Sequence, residues 1–455
     1  METLQAPQQK PLLNQLQESV AVKLMLIGIL TLLLLIPSSW IQSLIYEREQ
    51  RQEEAITDIA EKWSGEQLIE SPVLQLPYRS QIKTVDTAGR ITMKAGLSTI
   101  YLMPELVEIN AKVKPEILHR GIFDAVVYNT DIRIKGSFAE LELRKSGINP
   151  DMVLWDKVKV IAGISDYKGL KSNPKIKIGD SLYVAEPDFS EENLFSNGLA
   201  IQANVSATKS TALKFDINIE LRGSGELNFL HMAKSTNVNL SGNWSNPSFT
   251  GNYLPEKRNV NESGFSSNWK MSNFNRPFPQ QWIDNPTLIK QNKEKASFGV
   301  KFLLPVDQYQ KTTRTAKYAV LIILLSFISL FFIELLNKVK VNLLQYVLIG
   351  AAMIIYYSLL LSFTEQVGFA AAYLIASIST VLLVSLFVGA FLRNKKIALA
   401  FAAILSIFYI FIYVIIQLQD LALLFGSVGL FITVACLMYF SVRINSAKQI
   451  TSNSI

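Results

Sequence analysis

Ionisable and amide side chains are expensive inside hydrocarbon, so those that occur within apolar runs are the first places to look for chemistry. Glu334, Gln345 and the adjoining Tyr346 are such groups, and Glu365 stands in the short loop between two of the runs. Glu334 stands near the end of one apolar run and Gln345 near the start of the next. In antiparallel helices joined by a short loop, both would therefore lie near one membrane face. A polar contact between them, or pairing of Glu334 with Lys338 at i,i+4, accounts for them structurally. A proton or ion pathway would instead need such groups at several depths, and the three later runs supply only Ser, Thr and Tyr.

Outside these runs the chemistry is sparse. The two histidines, His119 and His231, stand far apart in no metal-ligand spacing, and each reads as a structural histidine. There is no G-x-S-x-G elbow, phosphate-binding loop, dinucleotide fingerprint or H-E-x-x-H. The carboxylate pairs Glu53-Glu54 and Glu191-Glu192 lie in polar surroundings, where solvated charge is the ordinary explanation. The single cysteine, Cys436, falls inside the last apolar run, which removes a disulfide framework or a cysteine zinc site. The expectation is a protein that is not an enzyme, with no cofactor and no metal.

The elements that position the polar groups are five C-terminal apolar runs, at 318–336, 341–363, 367–392, 397–416 and 421–442. Each reaches the roughly 20 residues that a helix needs to cross a bilayer. Lys338 and Lys340, then Arg393, Lys395 and Lys396, then Arg443 and Lys448 follow alternate runs, while the other loops carry only Glu365 and Asp420. Cytoplasmic loops collect Lys and Arg, so the C-terminus is expected in the cytoplasm and the residues before 318 outside. A further run at 24–45 follows Lys23. Its interruption by Pro37-Ser38-Ser39 admits a cleaved signal peptide, but the resumed apolar character through Trp40 favours a retained anchor. An anchor with Lys23 inside delivers residue 46 to the outer side, in agreement with the C-terminal array.

The charge balance supports this division. The chain has 455 residues, 49% of them hydrophobic, and a net charge of +7. Segment 46–316 carries 34 Lys and Arg against 32 Asp and Glu, whereas 317–455 carries 8 against 3. Most of the excess is loop charge beside the membrane, so nucleic acid is not an expected partner.

Between the anchor and the array the pattern changes. Ala55, Ile56, Ile59, Ala60 and Trp63 recur at helical spacing before Gly65, which predicts an amphipathic helix over 46–63. Short β-rich runs then extend from residue 80 to 305. The clearest alternates Leu213, Phe215, Ile217, Ile219 and Leu221 with polar residues, and Gly223-Ser224-Gly225 precedes another run at 227–232. This predicts a β-hairpin within an antiparallel, sandwich-like domain. Runs at 126–143, 157–164, 199–205, 238–244 and 299–304 read as strands, and short helices are expected around 151–155 and 191–195. Small residues at 350–352, 370–372, 389–390 and Gly426-x-x-Gly429 would let membrane helices pack closely.

Several stretches together resemble one family. They are YEREQRQEEAITDIAEKWSGEQLIESPVLQLPY, RGIFDAVVYNTDIRIKGSF, NWSNPSFTGNYLPEKRNV followed by GFSSNWKMSNFNRPFPQQW, GVKFLLPVDQYQKTTRTAKYA and LLQYVLIGAAMIIYYSLLLSFTEQVGFAAAYL. In this order they are similar to the CreD inner-membrane proteins of bacteria. The resemblance implies an inner-membrane protein tied to envelope integrity and to the output of an envelope-responsive two-component system, with no established reaction. The chain also departs from the family pattern. Asn342-Leu343 stand where the family usually has His-Pro, Gln366 stands where it has His, and Val442-Arg443 lacks a following Trp.

The expected architecture is an α+β membrane protein with six transmembrane helices, one N-terminal and five C-terminal. Its divisions are a cytoplasmic tail (1–23), helix one (24–45), a periplasmic β-rich domain (46–316), the five-helix array (317–443) and a second cytoplasmic tail (444–455). The expected role is envelope integrity and stress response through a periplasmic interaction module. The expected partners are membrane lipid and unidentified periplasmic or membrane proteins. Trp244, Phe249, Tyr253, Phe265 and Trp269 mark a segment where contacts would be sought, although core packing is the simpler fate for such rings. The alternatives are a transporter or channel that uses Glu334, Gln345, Tyr346 and Glu365, or a membrane enzyme acting on envelope material.

Overall fold

The first apolar run does not stop at Pro37. In the computed structural model it continues with the amphipathic stretch as one helix, α1 (Val20–Trp63), with Pro37 inside it. The structure describes residues 20–418 except 86–90, 140–142, 144–146, 190–193, 204, 206–211, 305–307 and 338, and beyond 418 only 424–429, 431, 432, 435 and 438. Ala55, Ile56, Ile59, Ala60 and Trp63 are half-buried along one side of the helix. The chain divides into two compact units, one of Met1–Arg51 with Val306–Ile455 and the other of Gln52–Pro305.

The second unit is a β-sandwich. One sheet has eight strands, in the order Lys257–Asn261, Gly264–Ser272, Ser235–Gly242, Leu106–Arg120, Phe123–Phe138, Leu213–Ser224, Lys175–Ile178 and Ser181–Val184. The other has nine, including Ser297–Phe302, Glu226–Leu230, Gln67–Val85, Lys159–Ile164 and Asn197–Gln202 as successive neighbours. The strand alternation expected from Leu213, Phe215, Ile217, Ile219 and Leu221 is present, and these residues are buried with Ile109, Ile134 and Val238 between the sheets. Short 3-10 turns occur at Pro150–Met152 and Trp155–Lys157. The helix expected at 191–195 lies mostly outside the described residues.

Two expectations for this unit are corrected. Leu213–Ser224 and Glu226–Leu230 are not a hairpin. The first pairs with Phe123–Phe138 in one sheet and the second with Gln67–Val85 and Ser297–Phe302 in the other. Gly225, at φ +66, turns the chain from sheet to sheet, and the Tyr128 hydroxyl donates to Glu226 O at 2.8 Å beside the crossing. A left-handed glycine after an alternating run serves a sheet switch as well as a tight turn, because both need only the backbone reversal that glycine permits. The sandwich is also not purely antiparallel. Gln67–Glu70 run parallel to Leu227–Leu230, and Leu106–Val113 run parallel to Ser235–Gly242. Each pair is joined by a long excursion through other strands, which parallel pairing requires.

On its outer side the nine-stranded sheet buries a smaller apolar cluster, including Val73, Ile161, Phe195 and Trp282, against helix α2 (Leu288–Ala296). Glu70 lies there almost fully buried, with one oxygen 3.4 Å from Lys293 of α2 and the other, Oε2, without a hydrogen-bond partner among the described residues. Gly163 on the neighbouring strand makes room for it, since a Cβ at Gly163 would strike Glu70 Oε2 and the Phe195 ring. Gly163→Ala is expected to lower the stability of the sandwich by about 1–3 kcal/mol, read from its thermal unfolding midpoint.

The first unit holds the amphipathic helix α3 (Gln308–Lys317) and the long helices α4 (Ala319–Asn337), α5 (Leu343–Val367), α6 (Phe369–Leu392) and α7 (Lys395–Gln417). Five described helices are long and apolar enough to cross a membrane: α1, α4, α5, α6 and α7. The run at 421–442, with Cys436, lies largely outside the described residues. Gly350 lets α1 and α4 approach α5, because a Cβ there would meet Leu34 and Phe327. Gly389 does the same for α6 and α7, where Ala398 Cβ lies 2.8 Å from the added carbon. Gly350 and Gly389 thus sit where neighbouring helices pack closely, whereas a Cβ at Gly426 would meet nothing and Ala370 and Ala371 are exposed.

Candidate functional site

Among the described residues, the ionisable groups of the first unit gather at two levels of the helix array. Glu334, in the last turn of α4, forms an ion pair with Lys23 of α1. Lys23 also donates to Val341 O at 3.0 Å. The backbone N–H of Val341 donates to Glu334 Oε1 at 3.2 Å, and the Tyr346 hydroxyl donates to Oε2 at 3.3 Å. Tyr346 is buried edge-on to Phe327, with ring centres 5.5 Å apart. One carboxylate therefore ties together α1, α4 and α5.

This geometry differs from the sequence expectation. Gln345 does not reach Glu334. Its side chain accepts from the backbone N–H of Asn342 at 2.9 Å and closes a capping box at the start of α5. Lys338, the expected i,i+4 partner, lies outside the described residues. Lys23 is the partner found, and no sequence window could bring it near Glu334.

The other level is built around Glu365, in the last turn of α5. The Tyr309 hydroxyl on α3 donates to Glu365 Oε1 at 3.0 Å, and Arg48 Nε of α1 lies 3.7 Å from the same oxygen. Burial, together with the Glu365 carboxylate, pushes the Tyr309 hydroxyl well above the ordinary phenol range. Beside them Lys311 donates to Gln417 Oε1 at 3.3 Å and lies 5.8 Å from the centre of the Phe369 ring. About 38 Å of helix, at 1.5 Å per residue, separates Lys23 from Arg48, which is slightly more than a hydrocarbon core of about 30 Å. The two ion pairs thus bracket the apolar layer from both sides, and neither acid lies in its middle.

What does lie between them is phenolic. Tyr356 and Tyr357 of α5 pack with Tyr373 of α6 and Tyr409 of α7, the Tyr356 ring being 4.8 Å from both Tyr357 and Tyr409. The Tyr373 hydroxyl donates to Tyr409 O at 2.7 Å. The buried hydroxyls of Tyr357 and Tyr409 have no hydrogen-bond partner among the described residues. The spacing of these tyrosines across three separate helices is what hid the cluster.

In the sandwich, the aromatic segment packs inward. Phe265 and Trp269 are buried, and Trp244, Phe249 and Tyr253 are partly buried against the same core. The Trp269 ring lies 5.4 Å from Phe298, and its N–H donates to Tyr253 O at 3.0 Å. His231 is buried with both ring nitrogens engaged. Nε2 donates to Ser272 O at 2.9 Å and Nδ1 accepts from the Thr236 hydroxyl at 2.9 Å, while burial lowers its pKa and keeps it neutral. His119 is exposed and pairs with Asp124 at 2.6 Å. No group of three or more His, Cys, Asp or Glu capable of holding a metal occurs among the described residues.

A family model described as Inner membrane protein CreD matches residues 19–447. A relative from Escherichia coli (strain K12), described as Inner membrane protein CreD, is 27% identical over 414 residues, which covers 91% of this chain and 91% of the relative.

Proposed function

The chain belongs to the CreD family of inner membrane proteins, and from that premise we propose that it serves the integrity of the cell envelope without catalysing a reaction. In this reading six helices cross the inner membrane, both termini are cytoplasmic, and the sandwich projects into the periplasm as an interaction module. The observation that carries it is the pairing of a large β-sandwich with an apolar helix array in which Glu334 and Glu365 are held in ion pairs that tie helices together. Alternating Lys and Arg loops support the orientation.

The test is made in cells. Reporter fusions after residues 143 and 455 are expected to report the periplasm and the cytoplasm respectively. Deletion of the gene is expected to increase sensitivity to agents that stress the envelope, and the complete chain is expected to restore resistance. Reporter signals of the opposite sense, or resistance unchanged by deletion, would overturn the reading.

A second reading, transport, draws on one observation: the hydroxyls of Tyr357 and Tyr409, which have no hydrogen-bond partner among the described residues, between the two ion pairs. If protons move along these phenols, the double replacement Tyr357→Phe with Tyr409→Phe abolishes proton flux in proteoliposomes while the protein stays folded. Flux that is absent from the wild type, or unchanged in the variant, removes this reading.

A further inference from the structure

We infer that the outer face of the eight-stranded sheet binds an anionic, hydroxyl-rich polysaccharide, laid across the strands. This rests on the envelope placement proposed above and names the class of ligand that the module would take.

The face holds a cleft of about 1220 Å³, walled by Ser172, Asn173 and Lys175 at one end and by Lys257, Arg258 and Asn259 at the other. The strand register lines up one polar row across its floor. Asn268, Asn239, Asn110, Arg133 and Asn218 are successive cross-strand partners, with Lys257 paired to Asn268 at one end and Lys175 paired to Asn218 at the other. The amides are ordered among themselves. Asn268 Nδ2 donates to Asn239 Oδ1 at 2.7 Å, and Asn239 Nδ2 donates to Asn110 Oδ1 at 3.0 Å. Arg133 is held in place by both oxygens of Asp216, at 3.1 and 2.8 Å.

Asparagine is a poor strand residue, and exposed strand positions are better filled by Thr or Val. Four of them in one row therefore cost the sheet stability and provide something else, a line of paired donors and acceptors. Successive rungs stand about 4.8 Å apart, close to the advance of one sugar unit along a glycan. Amides complement hydroxyls because both groups donate and accept.

Charge selects among glycans. The cleft is lined by six basic and three acidic side chains, and Lys112, Lys175, Lys257 and Arg258 form no ion pair among the described residues. Free cations at both ends suit carboxylate or phosphate substituents, while Asp131 and Glu220 can accept from sugar hydroxyls. A protein partner fits less well, since no aromatic side chain lines the cleft and protein interfaces centre on such rings. A peptide strand cannot add across the floor either, because each of the five strands that carry the row has a paired strand on both sides.

The test uses the full chain in lipid nanodiscs, with polygalacturonate as the anionic probe and dextran as the neutral one. Polygalacturonate is expected to bind and dextran not to bind. Lys175→Glu with Lys257→Glu, and separately Asn110→Val with Asn239→Val, are expected to weaken binding about tenfold or more. Arg79→Glu with Lys295→Glu, away from this face, is expected to leave binding unchanged; the two charge variants are expected to keep the wild-type unfolding temperature, and the Asn→Val variant to equal or exceed it. Equal binding of dextran, or cleft variants that bind like the wild type, overturns the inference. In cells, a photocrosslinker at residue 239 is expected to capture polysaccharide. Capture of protein alone overturns the inference but leaves the interaction-module reading standing, whereas labelling of residue 239 only from the cytoplasmic side overturns both.

Discussion

Replacing Lys23 with Met, or Glu334 with Gln, is expected to destabilise the helix array by about 3 kcal/mol, the scale of stranding one member of a buried ion pair. The replacement of both together is expected to recover most of that loss. Each single variant strands a group. Without Lys23, the Glu334 carboxylate keeps only the Val341 N–H and the Tyr346 hydroxyl. Without the Glu334 charge, the Lys23 ammonium keeps only the Val341 carbonyl. The double variant removes both charges, so the cycle separates the mutual interaction from the cost of leaving a partner behind. Thermal unfolding in detergent gives the four values. Four additive values would mean that the pair is not a fastening between α1 and the α4–α5 hairpin.

The second large effect depends on pH. Burial pushes the Glu70 carboxyl up to about 7 from an ordinary value of 4.5, although Lys293 and Lys290 pull the other way. The folded state holds its proton where the unfolded chain has lost it. The stability that this provides is present below about 4.5 and is lost progressively as pH rises through 7. Glu70→Gln removes the dependence. At pH 8 the variant is expected to be more stable than the wild type by about 3 kcal/mol, and at pH 4 or below the two are expected to coincide. Unfolding midpoints of the sandwich across this range decide the matter, and parallel curves for the two proteins would refute the assignment.

The residues that were legible from sequence share one property, that their signal is local. The runs that became α4 to α7 announced themselves by length, and Leu213 to Leu221 by strict alternation, because burial imposes a period on neighbours in sequence. The amphipathic stripe from Ala55 to Trp63 was read for the same reason. Gly225 was misread because a glycine turn is local evidence for a reversal but carries no information about which sheet the next strand joins. The sequence offers Glu334 only nearby partners, Gln345 and Lys338, whereas the cation found beside it, Lys23, comes from the other end of the chain. Nothing in the sequence around Glu70 sets it apart, and only the packing of α2 and Phe195 around it makes it unusual. The asparagine row is invisible until the register is known, since its members come from five strands scattered between residues 106 and 272.

The order of strands in the nine-stranded sheet also constrains when that sheet can form. Glu226–Leu230 lies between Gln67–Val85 and Ser297–Phe302, so its two neighbours come from opposite ends of the unit. During synthesis the strand can dock on its first neighbour early, but it presents an open edge until residues 297–302 emerge, only a short stretch before α3 and α4. A chain interrupted before residue 297 would keep that edge bare for strand addition by another copy. The last rung of the sandwich is therefore a completion signal, supplied just as the polypeptide turns to its remaining apolar helices.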